Sequence, residues 1–437
     1  MKIRIDNYKN IHNLTIPVHD NKLILLGNNG VGKTNTLEAV YFEKCVIEDA
    51  PYEYKKRYMM SLETISMDDY FPNANILRKI FPDITIDNLQ YKLMQFLEEA
   101  YTQLNRHLLK KLVQDALDTL TYCIANKQFD TSPIAITRLI ILKWLYRESV
   151  RTGDKYIILA DSPEMFAHPM LMNEITNALL DLSKRGCLVI ITTHNEYVIS
   201  RFFSRFEEIV KIEKDANGNA RITTIDMDEV KKRIREFYRR DEYLTHSFSR
   251  MTHPDDGLIN LLDDDIENFL ITAFRDRIIT IFFAETVVLG EGASEDVLFD
   301  YINNVLQPQW VSDNRTGFMN CMGKSTMPLY FVFLNYLNVR TLVIYDLDNT
   351  NNLVHAAYRK CFDDYHFEHP SLFASYYLSP DLERYLDIDN GQRIRSLVKP
   401  LNVFNYTYMQ EEVNPRVNEL VDIMELNIQR MKEAAAR

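Results

Sequence analysis

The chain has 437 residues, of which 46% are hydrophobic, and only 12 are glycine and 14 proline, so its composition is that of an ordered globular protein. This length suggests two or three domains. The formal net charge of −12 excludes a general attraction to nucleic acid. Any such binding must use a local basic patch, or metal ions held by some of the acidic side chains.

The chain carries no sign of a membrane segment or of disulfides. No apolar run reaches transmembrane length, and the first residues lack the apolar region of a signal peptide. The five cysteines are odd in number and scattered, without a C-x-x-C pair: Cys45, Cys123, Cys187, Cys321 and Cys361. This usage argues against a zinc site and for a reducing compartment, so we expect a cytoplasmic protein.

A glycine-rich loop lies between a predicted strand, residues 23–26, and a helix predicted from residue 34 to about residue 45. The loop has the G-x-x-x-x-G-K-[ST] spacing, in which glycines let the backbone wrap a phosphate and the helix N-terminus faces the anion. We predict that Lys33 contacts the β- and γ-phosphates of ATP and that Thr34 holds Mg²⁺. The predicted ATP-binding loop comprises Gly27, Asn28, Asn29, Gly30, Val31, Gly32, Lys33 and Thr34.

The segment from residue 52 to residue 151 is mainly helical in its hydrophobic period. Leucines at near-helical spacing are clearest over residues 104–120. This stripe fits either core packing or a helical subdomain that pairs two protomers.

Two further apolar strands end in polar residues. The first, at residues 156–160, leads to Asp161, whose carboxylate would hold Mg²⁺ as in a Walker B strand. The second, at residues 187–192, comes one helix later and leads to His194. The run D-S-P-E-M-F-A-H-P that starts at Asp161 resembles D-E-P-E-x-x-x-H-P of ABC ATPases of the RecF and SMC kind. This resemblance implies that Asp161, Glu164 and His194 belong to the ATP site, with His194 at the γ-phosphate.

The sequence departs from the ABC pattern in two places. Ser162 stands where these ATPases usually have the Glu that polarises the attacking water, and Glu164 is the nearby acid. The glycine-rich signature is also missing, and the best candidate for it, residues 131–134, has no glycine. We therefore expect ATP binding with slow turnover.

The middle of the chain contains a predicted hairpin and a basic segment. Residues 209–225 form the hairpin, which turns at Asn217-Gly218. The lysines and arginines of residues 231–240 fit either a solvated helix face or a phosphate-contacting patch.

From about residue 282 predicted strands alternate with helices, which indicates a small parallel sheet with its functional groups at the strand C-termini. Acidic residues occur at three of these ends: Glu291 with Glu295, Asp346 with Asp348, and Glu383. Carboxylates gathered at one edge repel each other unless cations lie among them, and such oxygen ligands suit Mg²⁺ or Mn²⁺.

A glutamate followed by D-x-D resembles the toprim pattern of topoisomerases, primases and some nucleases. An ABC-type ATPase followed by a toprim domain resembles the OLD (overcoming lysogenization defect) family of ATP-dependent nucleases. The run F-F-A-E-T-V-V-L-G-E-G-A-S-E at residues 282–295 is similar to the family's F-F-A-x-x-V-x-L-V-E-G-x-[ST]-E. Residues 322–324 and 381–383 are similar to its G-K and D-L-E elements, and Lys399 to its late lysine.

The OLD resemblance implies an α/β chain and a metal-dependent DNA endonuclease. Its ABC-type ATPase domain would span residues 1–226 with a helical insertion at about 52–130, its helical linker 227–281, and its toprim domain 282–437. The five acids would carry two metal ions that cleave a DNA phosphodiester, and Lys399 would stabilise transition-state charge. The predicted catalytic and metal-binding residues are Glu291, Glu295, Asp346, Asp348, Glu383 and Lys399.

The same resemblance implies an oligomer, a homodimer or larger, that acts in anti-phage defence. A companion protein is also expected, either helicase-like or a retron reverse transcriptase with its single-stranded DNA. Two alternatives stay open, namely a non-cleaving ATP-dependent sensor scaffold and a RecF-like repair ATPase. A toprim topoisomerase is disfavoured because the chain has no room for a second large DNA-gate domain, and a primase because it has no zinc-ligand cluster.

Overall fold

The computed structural model describes residues 1–49, 54, 56–60, 133–165, 167–215, 217–252, 263–347, 352–388, 398–410 and 412–436. The chain divides into two compact units, Met1–Ile225 and Asp226–Arg437. The leucine stripe at residues 104–120, most of the predicted insertion and Asp348 lie outside the described residues.

The first unit is an α/β unit. Its strands are β1 (Lys2–Tyr8), β2 (Ile11–Pro17), β3 (Lys22–Leu26), β4 (Val46–Glu48), β5 (Lys56–Met60), β6 (Tyr156–Asp161), β7 (Leu188–Thr192), β8 (Ile209–Lys214) and β9 (Ala220–Thr224). Its helices are α1 (Lys33–Tyr41), α2 (Pro133–Thr152), α3 (Pro169–Lys184) and α4 (Glu196–Phe202), with a 3₁₀ turn at Phe206–Glu208.

Six strands form the main sheet of this unit in the order β5-β6-β7-β3-β8-β9, and β1 pairs with β2 and β4 in a separate antiparallel sheet. Strands β3 and β7 are buried along their whole length because both of their faces are covered, which explains their continuous apolar sequences. Among the described strands of the main sheet, β8 and β9 pair antiparallel and the other pairs are parallel, and β8–β9 is the predicted hairpin. The helical expectation for residues 52–151 is wrong at β5, which pairs in parallel with β6.

The second unit begins with helices. Its helices are α5 (Met227–Tyr238), α6 (Glu242–Thr252), α7 (Asp263–Phe274), α8 (Ile278–Phe283), α9 (Ala293–Tyr301), α10 (Pro308–Asp313), α11 (Met327–Tyr336), α12 (Leu353–Glu368), α13 (Leu382–Tyr385), α14 (Lys399–Thr407) and α15 (Pro415–Ala436), with short 3₁₀ and π turns at Arg275–Arg277 and Ile302–Leu306. Its strands are β10 (Thr286–Gly290), β11 (Thr316–Asn320), β12 (Arg340–Asp346) and β13 (Phe373–Leu378).

The four strands of the second unit form one fully parallel sheet in the order β11-β10-β12-β13. Their C-terminal ends therefore meet at one edge, where a parallel α/β sheet places its functional groups. Helix α15 packs its apolar stripe into the core on this sheet. Among the described residues, no helix is long and apolar enough to cross a membrane.

The helices before β10 pack on the second sheet's own helices. Phe237 of α5 lies 5.1 Å from Phe331 of α11 between ring centroids, and Phe274 of α7 lies 5.0 Å from Phe333. The described residues of the predicted linker, 227–252 and 263–281, therefore pack within the second unit.

The basic segment of residues 231–240 faces acidic partners in the same unit. Lys231 is buried and contacts Glu267 at 2.7 Å, and Arg240 makes a two-pronged contact with Glu368. These ion pairs already use the charges of two of the basic residues, which favours the solvated helix face over a phosphate-contacting patch.

Candidate functional site

The glycine-rich loop between β3 and α1 has a backbone that only glycine tolerates at two positions. Gly27 has a φ of +148°, and a Cβ there would lie 2.2 Å from the carbonyl oxygen of Ile212. Gly32 has a φ of +121° and faces the side chain of Asn10, which donates a hydrogen bond to the carbonyl of Val31 at 3.0 Å. The loop is thus held in a tight curve by its neighbours.

Lys33 and Thr34 lie where the loop enters α1. The ammonium of Lys33 is buried and donates to the carbonyl oxygens of Gly27 at 2.6 Å and Asn28 at 2.9 Å. Burial lowers the pKa of Lys33, and the nearby charge of Asp161 opposes that shift. The hydroxyl of Thr34 donates to Asp161 Oδ2 at 2.7 Å. The two predicted Mg²⁺ ligands of the ATP site, which are 127 positions apart in the chain, are therefore neighbours.

Glu164 and His194 lie at the ends of β6 and β7. Thr193 Oγ1 donates to Glu164 Oε1 at 2.6 Å, and burial raises the pKa of Glu164. Glu164 Oε2 is buried and has no hydrogen-bond partner among the described residues. Burial and the charge of Lys33 lower the pKa of His194. The side chain of Glu164 therefore reaches the turn that carries His194.

Ser162 has a left-handed backbone, with a φ of +46°, and its N–H donates to the carbonyl of Thr192 at 2.9 Å. The turn that follows is held by Arg138 of α2, which donates to the carbonyls of Pro163 at 3.0 Å and Met165 at 3.1 Å. Arg138 is only 1% exposed, and burial lowers its pKa to about 10. Sequence reasoning missed Arg138, because an arginine in a predicted helix gives no signal of burial.

Replacing Lys33 with alanine is expected to remove ATP binding, because its ammonium lies in the loop that would hold the phosphates. A hydrogen bond to a charged group contributes about 1.5–3 kcal/mol, so loss of two would weaken binding at least about 100-fold. Isothermal titration with a non-hydrolysable ATP analogue measures the effect. Lys44→Ala, an exposed lysine just beyond α1, is the control and should bind like wild type. Unchanged affinity in Lys33→Ala would remove the loop from the ATP site.

The second cluster lies at the C-terminal edge of the parallel sheet. Glu291 follows β10, and its Oε2 accepts a hydrogen bond from the backbone N–H of Asp346 at 3.2 Å. The carboxylate of Asp346 in turn accepts from the N–H of Leu382 at 2.9 Å. Two predicted metal ligands on neighbouring strands, and the start of α13, are thereby linked.

Lys324 belongs to this cluster, although it is not among the site residues predicted above. Its ammonium donates to the carbonyl of Asp346 at 2.6 Å, lies 3.7 Å from Glu291 Oε2, and lies 3.1 Å from His355 Nδ1. The side chain is 6% exposed. The G-K element at residues 323–324 was the signal available in the sequence. Lys324 places a positive charge between two strand ends.

Glu383 and Lys399 form an ion pair at the same edge. Lys399 Nζ lies 3.0 Å from Glu383 Oε2, and Ser294 donates to Glu383 Oε1 at 3.1 Å. Glu383 is buried, and each of its two carboxylate oxygens has a hydrogen-bond donor, Ser294 for one and Lys399 for the other. Burial alone would lower the pKa of Lys399, but its contact with Glu383 and the charges of Asp346 and Asp381 outweigh burial and raise that pKa.

Glu295 lies in the first turn of α9, and its side chain caps the start of that helix. Its Oε2 accepts from the N–H of Gly292 at 2.8 Å, which satisfies one of the free donors at the start of that helix. Burial raises its pKa to about 7, with smaller contributions from Glu291 and Glu383. Glu295 therefore already has a capping role in this structure, in addition to its proximity to the other acids.

The donor set suits a hard divalent cation, because all of the acidic side chains at this edge offer carboxylate oxygens. Within the described part of the chain, however, no three carboxylate, histidine or cysteine groups lie close enough together to hold a metal ion. The assignment of Glu291, Asp346 and Glu383 as metal ligands stays a prediction, and Asp348 lies outside the described residues.

Comparison with known proteins finds similarity to a toprim domain, to a nuclease and to ABC-type ATP-binding proteins. The family model of the overcoming lysogenization defect protein-like TOPRIM domain matches residues 282–348. The Old nuclease of Escherichia phage P2 is 22% identical over 198 residues, which is 45% of this chain but 28% of that nuclease. The chain thus spans less than a third of the length of that relative.

An ABC-type relative matches a similar share of the chain. The probable ABC transporter ATP-binding protein p29 of Mesomycoplasma hyorhinis is 24% identical over 219 residues, covering 46% of this chain and 82% of that protein. Among solved structures, the ADP- and phosphate-bound dimer of the ATP-binding cassette MJ0796 aligns over 52% of this chain and 99% of its own, with 16% identity. The TM-score of this alignment is 0.27.

Proposed function

We propose that this chain, an OLD-type protein that joins an ABC-type ATPase to a toprim domain, is an ATP-binding, metal-dependent DNA endonuclease. The observation that carries the proposal is the link between Glu291 and Asp346 at neighbouring C-terminal strand ends, with Lys324 against both. This arrangement concentrates oxygen ligands and positive charge where a parallel sheet binds its ligands.

The chain's own groups would share the work of phosphodiester cleavage. Glu291, Asp346 and Glu383, with Glu295 and Asp348, would hold Mg²⁺ or Mn²⁺. Such ions supply an activated water and stabilise the leaving oxygen. Lys324 and Lys399 would offset the negative charge that develops on the phosphate, and their contacts with Glu291 and Glu383 keep them at the site.

The ATPase unit would control this nuclease. Lys33 and Thr34 would bind ATP and its Mg²⁺ together with Asp161, and His194 would face the γ-phosphate. We propose that ATP acts mainly as a bound ligand that holds two ATPase halves together in a homodimer or larger oligomer. In this proposal the protein acts on foreign DNA in anti-phage defence, and a companion protein, helicase-like or a retron reverse transcriptase with its single-stranded DNA, would supply the trigger.

Metal removal tests the nuclease itself. Purified protein incubated with supercoiled plasmid is expected to nick or cut it with Mg²⁺ or Mn²⁺ and to leave it intact in excess EDTA, since the clustered carboxylates need a cation to act on a phosphate. Agarose gel electrophoresis of the plasmid measures the result. Cleavage that persists in EDTA would contradict a metal-dependent site. A protein that binds ATP but never cuts, even with its genomic neighbours added, would favour the sensor scaffold or the repair ATPase.

A further inference from the structure

A cavity of about 360 Å³ lies beside the carboxylate cluster of the second unit. It is lined by Leu347, His355, Ala356, Arg359, Lys360, Asp363 and Asp364. Leu347 directly follows Asp346 in the chain, and His355 Nδ1 lies 3.1 Å from the ammonium of Lys324. The cavity therefore extends from the proposed catalytic edge along helix α12.

The charged side chains that line this cavity are basic at the end near Lys324 and acidic at the other end. His355, Arg359 and Asp363 are spaced four residues apart, so they form one row on α12, and Lys360 and Asp364 stand in the neighbouring row. The basic side chains come first, at the end near Lys324, and the two aspartates follow. An anionic group would therefore be held next to the site and repelled from the far end.

An aromatic side chain stands next to the basic row. The guanidinium of Arg359 lies 4.5 Å from the centroid of the Tyr377 ring, and its Nη2 donates to the Tyr377 hydroxyl at 3.4 Å. Tyr377 is 38% exposed on β13, the edge strand of the sheet. The ring of Tyr376 is nearly parallel to that of Tyr377, at an angle of 13° and with the centroids 6.3 Å apart. An exposed ring held by an arginine is a surface on which a nucleobase stacks.

We propose that this cavity, together with Tyr377, binds the unpaired nucleotides that flank the phosphodiester to be cut. The inference rests on the proposed nuclease function and specifies its substrate as a locally single-stranded DNA. Arg359 and Lys360 bind the backbone phosphates and Tyr377 stacks on a base. Asp363 and Asp364 accept hydrogen bonds from base amino groups. The volume falls within the usual range of ligand pockets, about 300–1,000 Å³.

Binding measured without cleavage tests this site separately from the nuclease activity. The full chain is titrated against a fluorescein-labelled single strand of about twenty nucleotides, and against the matching duplex, by fluorescence anisotropy with Ca²⁺ in place of Mg²⁺. The double variant with Arg359→Ala and Lys360→Ala is expected to bind the single strand at least tenfold more weakly. Each lost phosphate contact should also reduce the slope of log affinity against log salt by about 0.7. Arg430→Ala, an exposed arginine on α15, is the control and should keep both values.

Tyr377 tests whether the bound strand is unpaired. Tyr377→Ala should weaken single-strand binding about tenfold while duplex affinity changes less than twofold, because stacking needs an exposed base face. Tyr377→Phe keeps the ring and should bind like wild type. Equal loss on strand and duplex would overturn the single-strand assignment, and displacement of the strand by free deoxynucleoside monophosphate at equal phosphate concentration would make this a mononucleotide site instead.

The two proposals fail in different ways. A wild-type protein that cuts plasmid, with unchanged affinity and salt slope in the double variant, would overturn the cavity assignment and leave the nuclease intact. A wild-type protein that neither cuts plasmid nor binds any oligonucleotide would overturn both. Far-UV circular dichroism and thermal unfolding of each variant show whether a loss of binding reflects a loss of folding.

Discussion

Replacing Asp346 with asparagine is expected to slow DNA cleavage by about 10²–10³-fold, the usual loss when one group that stabilises transition-state charge is removed from an active site. The asparagine oxygen still accepts the hydrogen bond from the N–H of Leu382, which Asp346 Oδ1 now accepts at 2.9 Å. The backbone N–H at position 346 also stays bonded to Glu291. Only the negative charge that would bind the metal is removed. Initial rates of plasmid nicking measure the effect.

Two control variants make the Asp346 result specific. Asp346→Ala removes the hydrogen-bond acceptor as well, so any difference between the two variants reports the structural part of its role. Asp313→Asn changes an exposed aspartate on α10 and should cut at the wild-type rate. If Asp346→Asn cuts like wild type at saturating Mg²⁺, the metal site is wrongly assigned.

Replacing Ser162 with glutamate is expected to increase ATP hydrolysis by about 10²–10⁴-fold, the usual contribution of a general base. Ser162 follows the carboxylate that Thr34 contacts, so a glutamate here would stand where ABC-type enzymes polarise the attacking water. Glu164 is poorly placed as a substitute, because the hydroxyl of Thr193 already donates to one of its oxygens at 2.6 Å. Phosphate release measured over time by a coupled assay gives the rate, and plasmid cutting shows whether control of the nuclease changes with it.

The matched control is Ser162→Gln. Its side chain has the same size as that of Ser162→Glu and stands at the same left-handed backbone position, but it has no carboxylate to act as a base. This control distinguishes an effect of the new base from an effect of placing a long side chain at a positive φ. ATP hydrolysis by Ser162→Gln should stay slow. The slow-hydrolysis proposal would be contradicted if the wild-type protein hydrolyses ATP rapidly, Glu164→Gln abolishes this hydrolysis, and Ser162→Glu leaves its rate unchanged. In that case the buried Glu164 Oε2 would be the base.

Local spacing was enough to predict much of the fold. The phosphate loop is a contiguous motif whose glycines and lysine act within eight residues, so its place between β3 and α1 follows from the sequence. The alternation of β10 to β13 with helices, and the hairpin of β8 and β9, also follow from short-range periodicity and turn chemistry. The occurrence of acids at strand ends was equally visible, because each strand end is a local feature.

Other features depended on contacts between distant parts of the chain. Lys56–Met60 is a strand because its backbone pairs with β6, about a hundred positions later, and periodicity alone did not distinguish it from its helical surroundings. The capping role of Glu295, the burial of Arg138 and the approach of Lys324 to Glu291 are likewise set by tertiary packing. The residue types and local spacing determined which groups are available for chemistry. Only the folded sheet and its helices decided which of those groups touch, because hydrogen bonds and charge interactions require distances of a few ångströms that sequence separation does not encode.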